Sequence, residues 1–275
     1  MVQSRLLHSP SSPSLGWRDA VRDLYDSLFD LARLPMAAPA LSRVPRADGH
    51  AVLVLPGFLS SDHPTWPLRA YLASIGYRAH AWELGINLGF SSKYAYDIED
   101  LVEHRLKEVF LASGERKISL VGWSLGGLYA KVLAQRYPGL VRDVITLGSP
   151  ISGDITRVGP WRLYEAISGM RAGDPGFARK LKAMTAPLEG VPLTAIYNRR
   201  DGVVGPENAR VAEGPLAQNI DVPAAHGALG FDGFVMYLVA QRLAASARPP
   251  WRALDVAALR RCFEADCAGR LAWNA

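Results

Sequence analysis

Two cysteines in 275 residues, Cys262 and Cys267, are too few for a disulfide framework. Lying five apart in a helical-looking tail they point to different sides of a helix, so the reading is two free thiols rather than a bridge or a metal site. No run of 18 or more apolar residues is present, which excludes a membrane-spanning helix. The Met1 to Gly16 stretch has Arg5 but no apolar core beyond Leu6-Leu7, so it does not read as a secretory signal. A cytoplasmic enzyme is the expectation. Although the net charge is +5, Lys and Arg are scattered and form no basic footprint for nucleic acid. Paired metal ligands, a phosphate loop and a dinucleotide fingerprint are also missing: Gly122 to Gly127 has the wrong glycine spacing, so no metal and no cofactor is implied.

What is there reads as one globular α/β chain, 49% apolar and 21% charged. Trp17, Val21, Leu24, Tyr25 and Leu28 recur at steps of three and four, which predicts an amphipathic helix over Trp17 to Leu34. That helix packs on the outside of the domain or serves as a lid, and Pro35 to Gly49 follows as a loop. From Ala51 strands and helices alternate. Strands are predicted at 51–55, 77–82, 118–122, 141–147, 193–197 and 218–222, and helices at 64–74, 94–112, 125–138, 229–245 and 251–273. This alternation calls for a parallel sheet with helices on both faces and right-handed crossovers. One segment breaks the rhythm. Residues 151–192 form an apolar insertion with short helices at best, including Trp161, Tyr164, Met170, Phe177 and Met184, and such a length between strands reads as a cap or lid. The expected division is 1–50 as an N-terminal helix and loop, 51–250 as the main domain with its 151–192 insertion, and 251–275 as a C-terminal helix of that domain.

At the centre lies Ile118-Ser119-Leu120-Val121-Gly122-Trp123-Ser124-Leu125-Gly126-Gly127, a strand that breaks into a helix. The Gly-x-Ser-x-Gly letters arise by chance in roughly one chain in ten of this length, so the rest of the sequence has to support them. In this arrangement the turn forces the serine into a strained conformation with its hydroxyl held out for attack. A serine needs a base, and the base needs an orienting acid. Of the six histidines only His226 follows Ser124, as the order nucleophile, acid, histidine requires. Nine carboxylates lie between them, and Asp201 is preferred because it sits on a turn at the carboxyl end of the 193–197 strand. Glu207 and Asp154 are the reserves. An oxyanion hole needs two backbone donors: the N–H of Leu125, and one from Pro56 to Leu59, for which Phe58 is chosen because proline has no N–H. Trp123, Trp161 and Tyr164 are the candidate pocket residues.

Taken together, Val54-Leu55-Pro56-Gly57-Phe58, Gly122-Trp123-Ser124-Leu125-Gly126-Gly127, Thr146-Leu147-Gly148-Ser149-Pro150, Asp201-Gly202-Val203-Val204 and His226 resemble an α/β-hydrolase of the bacterial lipase and esterase type. The similarity runs from about Ala51 to Ser246. Pro56 and Trp123 stand where family lipases often have histidine. The family's first two antiparallel strands have no counterpart, which implies a six-stranded, mostly parallel sheet. The resemblance implies a serine hydrolase acting on carboxylic esters, a small-molecule or lipid-like substrate and no cofactor. An acyltransferase using the same serine, and a binding module that kept the fold, are the alternatives.

Overall fold

The computed structural model describes residues 25, 27, 29–90, 98–154, 156, 158–159, 161–171 and 173–268. Most of the helix predicted over 17–34 lies outside them, although residues 29–33 are helical up to the Leu34–Ala37 turn. The elements that follow are β1 (Ala51–Leu55), α1 (Asp62–Ser74), β2 (Arg78–His80), α2 (Ile98–Ala112), β3 (Ile118–Trp123), α3 (Leu125–Arg136) and β4 (Val141–Leu147). After them come α4 (Trp161–Ser168), α5 (Pro175–Thr185), β5 (Leu193–Tyr197), β6 (Ala217–Asp221), α6 (Gly233–Ser246) and α7 (Val256–Ala268).

The six strands form one sheet in the order β2-β1-β3-β4-β5-β6, every neighbouring pair parallel. The direction of winding reverses between β1 and β3, and the crevice at such a switch point is where open parallel sheets bind ligands. Period-two alternation divides the strand side chains between two cores. Leu53, Leu55 and Leu120 meet α2, α3 and the aromatic residues Trp82, Phe90 and Tyr129 on one face. Val52, Val54, Val121, Ile145 and Ile196 meet α1 and α6 on the other. Both faces of the inner strands are therefore dry, and truncating Leu120 to alanine is expected to cost about 2–5 kcal/mol.

The 151–192 insertion carries two well-defined helices, and its Tyr164, Phe177 and Met184 are buried in the first core. Its root is tied down by Lys131 of α3, whose buried ammonium donates to the carbonyl of Ile151 at 2.7 Å. Burial alone pulls that amine down to about 8. Beyond the sheet, Phe263 of α7 packs on Phe234 and Tyr237, with ring centroids 5.1 and 5.4 Å away. Asp30 accepts from the Ala225 N–H at 3.3 Å, so the N-terminal segment touches the loop that carries His226. Among the described residues no helix is long and apolar enough to cross a membrane.

Boundaries differ from the predicted ones where an aspartate caps. The closing helix begins at Gly233 rather than Leu229, because Asp232 accepts from the Val235 N–H at 2.9 Å and a short 3₁₀ turn, His226–Ala228, precedes it. The last helix begins at Val256, with Asp255 accepting from Ala258 at 2.9 Å. Strand β2 is shorter than predicted, because only Arg78 to His80 pair with β1. Beyond them the N–H groups of Trp82 and Glu83 turn away to the carboxylate of Asp62, at 2.8 and 2.9 Å.

Candidate active site

Ser124 sits between the end of β3 and the first residue of α3, with φ 52° and ψ −123°. A non-glycine residue in this region carries strain of about 1–3 kcal/mol, which the surrounding bonds must hold. Its own N–H donates to Leu147 O at 2.8 Å, and its carbonyl accepts from Gly127 at 3.0 Å. The flanking glycines work as expected: a Cβ on Gly126 would lie 2.3 Å from Leu55 O. Only because glycine has no Cβ can the β1 backbone pass so near the turn.

The Ser124 hydroxyl is 3.2 Å from His226 Nε2, and His226 Nδ1 is 2.8 Å from Asp201 Oδ2. The other Asp201 oxygen, Oδ1, accepts from the N–H groups of Val203 and Val204 at 2.7 and 3.1 Å. Burial acts to raise the Asp201 pKa, yet the facing His226 and these two amides outweigh it and hold the carboxyl below its usual range. The carboxylate therefore stays ionised at neutral pH. Gly148, at φ 55°, explains the Leu-Gly-Ser-Pro motif: a Cβ there would meet Leu229 at 2.5 Å and His226 Nδ1 at 3.1 Å. Only a glycine leaves room for that imidazole. Neither reserve acid, Glu207 nor Asp154, pairs with His226 in the way Asp201 does; the Asp154 carboxylate accepts locally from Thr156.

The N–H groups of Leu125 and Phe58 have no protein acceptor among the described residues. Both belong to segments bordering Ser124. A narrow cleft, partly open to solvent, is lined by Phe58, Phe90, Ser124, Leu125, Leu128, Pro150, Val158, Trp161, Tyr164, Leu181 and Val204. Trp161 and Tyr164 thus lie in its wall, stacked with centroids 5.2 Å apart. Trp123 does not. Its indole N–H donates to His226 O at 3.0 Å and its ring packs beside Gly230, so it props the histidine loop. A residue preceding the nucleophile in a strand points to the face opposite the serine. Pro150 and Val204, which sequence reading left out of the pocket, follow the carboxyl ends of β4 and β5, where the switch-point rule could have found them.

A second serine, histidine and aspartate cluster lies at the other end of the sheet. Ser119 Oγ is 2.9 Å from His50 Nε2 and donates to Asp143, while His50 Nδ1 meets Asp48. Ser246 also donates to Asp143 at 2.7 Å, and Arg142 to Asp48 at 2.9 Å. Ser119, His50 and Asp143 are buried and border none of the cleft, and Ser119 lies within an ordinary strand with no turn to present its hydroxyl. This cluster ties β1, β3 and β4 together at their amino ends.

Burial and the nearby Arg142 lower the His50 pKa, against the pull of Asp48 and Asp143. A histidine held neutral in the fold takes up its proton on unfolding. Stability is then unaffected above the ordinary value near 6.5 and falls as pH drops through it. His80, lowered by burial and by Arg105 and Arg78, acts with the same sign. The melting temperature is expected to decline between pH 7.5 and 5, and less steeply in His50→Gln; equal slopes would rule out His50 as a contributor.

Fold and site geometry together define an α/β-hydrolase. The chain belongs to the α/β-hydrolase fold family, whose sequence profile matches residues 50–212. It is similar to a pimeloyl-[acyl-carrier protein] methyl ester esterase of Shewanella woodyi, at 32% identity over 101 residues. That match covers 37% of this chain and 36% of the relative, so the matched stretch spans about a third of the relative's length. Among solved structures it is similar to the monoacylglycerol lipase of Paleococcus ferrophilus, with 13% identity, a TM-score of 0.54 and coverage of 71% of this chain and 94% of that one. Lipase B of Aspergillus fumigatus gives 17% identity, a TM-score of 0.56 and coverage of 77% and 56%. Mature lipase BlEst2 of Bacillus licheniformis gives 19%, 0.51, and 71% and 93%. At these identities the structural likeness is one of fold.

Proposed function

We propose that the protein is a serine hydrolase of carboxylic esters. The observation that carries this reading is a strained Ser124, its hydroxyl 3.2 Å from His226 Nε2, on the wall of an apolar cleft. Asp201 keeps the Nδ1 proton on its own side of the imidazole, which leaves Nε2 free to accept. Ser124 Oγ attacks the ester carbonyl as its proton passes to His226. The oxygen that becomes negative is held by the N–H groups of Leu125 and Phe58, and the leaving alcohol takes the proton from His226. Water, deprotonated by the same histidine, then releases the acid from the acyl-enzyme. The aromatic and aliphatic walls favour an apolar acyl or aryl group. Lipase and esterase relatives accord with that substrate class, and the cap formed by residues 151–192 supplies Trp161 and Tyr164 to the pocket.

Among the described residues three serines contact a histidine, Ser61 beside His63 on the surface, Ser119 and Ser124, so the test must tell them apart. A fluorophosphonate probe followed by peptide mapping is expected to label Ser124 and leave Ser119 unmodified. Ser119→Ala should keep p-nitrophenyl butyrate hydrolysis within about twofold of wild type, since it lies outside the cleft, while losing about 1–3 kcal/mol of stability from the partners it leaves unpaired. Label on Ser119, or activity lost with Ser119, would refute the assignment.

A further inference from the structure

Between β2 and α2 the chain makes a glycine-containing loop with one fully buried amide, Asn87. Asn87 Nδ2 donates to Pro56 O at 2.9 Å, and its Oδ1 accepts from the Gly89 N–H and the Tyr129 hydroxyl, both at 3.1 Å. Its backbone is engaged as well. Leu59 N–H donates to Asn87 O, and Asn87 N–H to Ser60 O, each at 2.8 Å. One residue thus grips the Pro56 to Ser60 turn at three points.

That turn cannot hold its shape unaided. Pro56 has no N–H to give, Leu59 adopts the left-handed conformation at φ 57°, and its one internal backbone bond is Ser60 N–H to Gly57 O at 3.2 Å. It also presses on the nucleophile, for a Cβ on Gly57 would lie 3.2 Å from Ser124 Cβ. A small rotation of the Pro56–Gly57 peptide therefore moves the Phe58 N–H relative to Ser124. Tyr129 stands on α3 five residues after Ser124, so the same amide fixes the turn against the nucleophile's own helix.

We infer that Asn87 is a positioning residue that sets the direction of the Phe58 N–H toward the developing oxyanion, in register with Ser124. This rests on the ester-hydrolase reading above. An amide is required because the site needs a donor facing Pro56 O and an acceptor facing Tyr129 and Gly89 at once. Misdirected by a rotated peptide, the Phe58 donor is lost to the transition state more than to the bound ester, so turnover suffers and binding does not.

The test compares wild type with Asn87→Ala, Asn87→Asp and Tyr129→Phe by the rate of fluorophosphonate labelling at Ser124, by kcat and KM for p-nitrophenyl butyrate, and by amide exchange of residues 56–60. Removing one oxyanion donor outright costs about 100- to 1,000-fold, so a misaligned one is expected to slow labelling and kcat roughly 10- to 100-fold in Asn87→Ala, with KM within about twofold. Exchange at 56–60 should quicken while β3 and α3 keep their protection. Asn87→Asp, which retains the acceptor and loses the donor to Pro56 O, should behave alike and replaces the alanine variant if that one does not fold. Tyr129→Phe leaves the Gly89 bond in place and should show the same pattern with a smaller loss, about fivefold at most. Labelling and kcat within about twofold of wild type, or unchanged exchange at 56–60, would overturn the inference. Failure of the wild type to cleave esters counts against the ester reading alone, because labelling and exchange still judge Asn87; if the wild type does not label either, exchange at 56–60 decides.

Discussion

Ser124→Ala is expected to lower the turnover of p-nitrophenyl esters about a millionfold while leaving the fold in place. The change removes one oxygen. Among the described residues its hydroxyl bonds to His226 alone, so no buried partner beyond that imidazole loses a contact. Alanine meets the same left-handed backbone as serine at φ 52°, and the stability change should stay within about 1 kcal/mol. A residual rate within tenfold of wild type would place the nucleophile elsewhere. Purified variant with unchanged circular dichroism and melting temperature is the necessary control.

Asp201→Asn is expected to cost about 10⁴-fold in kcat, more than the size of the change would imply. The reason lies in the two amides behind it. Val203 and Val204 donate to Oδ1, so the oxygen of an asparagine must stay on that side and its NH₂ must face His226. An NH₂ donating to Nδ1 leaves the imidazole proton on Nε2, where it points at Ser124 and cannot accept. The geometry survives; the tautomer is wrong. Measured KM should change little, and a kcat within about tenfold of wild type would show that Asp201 does not orient the base.

Much of this arrangement is legible in the sequence because the chemistry is local to motif and order. The strand before Ser124, the glycines around it, a single downstream histidine and a carboxylate on the turn after β5 need no long-range information. Trp123 marks the limit: adjacency in sequence made it a pocket candidate, but alternation along β3 sends its ring to the opposite face, under the His226 loop. Asn87 was invisible for a different reason. It has no chemistry of its own to announce it, and its partners, Pro56 and Tyr129, lie 31 residues before and 42 after it. Hydrophobic spacing alone starts the last two helices too early, because the capping aspartates Asp232 and Asp255 set their first residues at Gly233 and Val256. Strand β2 ran long because side-chain pattern alone does not say where its only neighbour stops pairing.

The placement of the site at the reversal between β1 and β3 has a consequence for how the chain acquires activity. The Phe58 turn and the Ser124 elbow become neighbours only when Leu55 pairs with Gly122, 67 positions away in the sequence. Closing so long a loop comes after local helices have formed, and parallel pairings of this kind are slow. A refolding chain is therefore expected to recover its helical signal before any phosphonate labelling of Ser124 appears, and the onset of labelling would time the moment when β1 and β3 zip together.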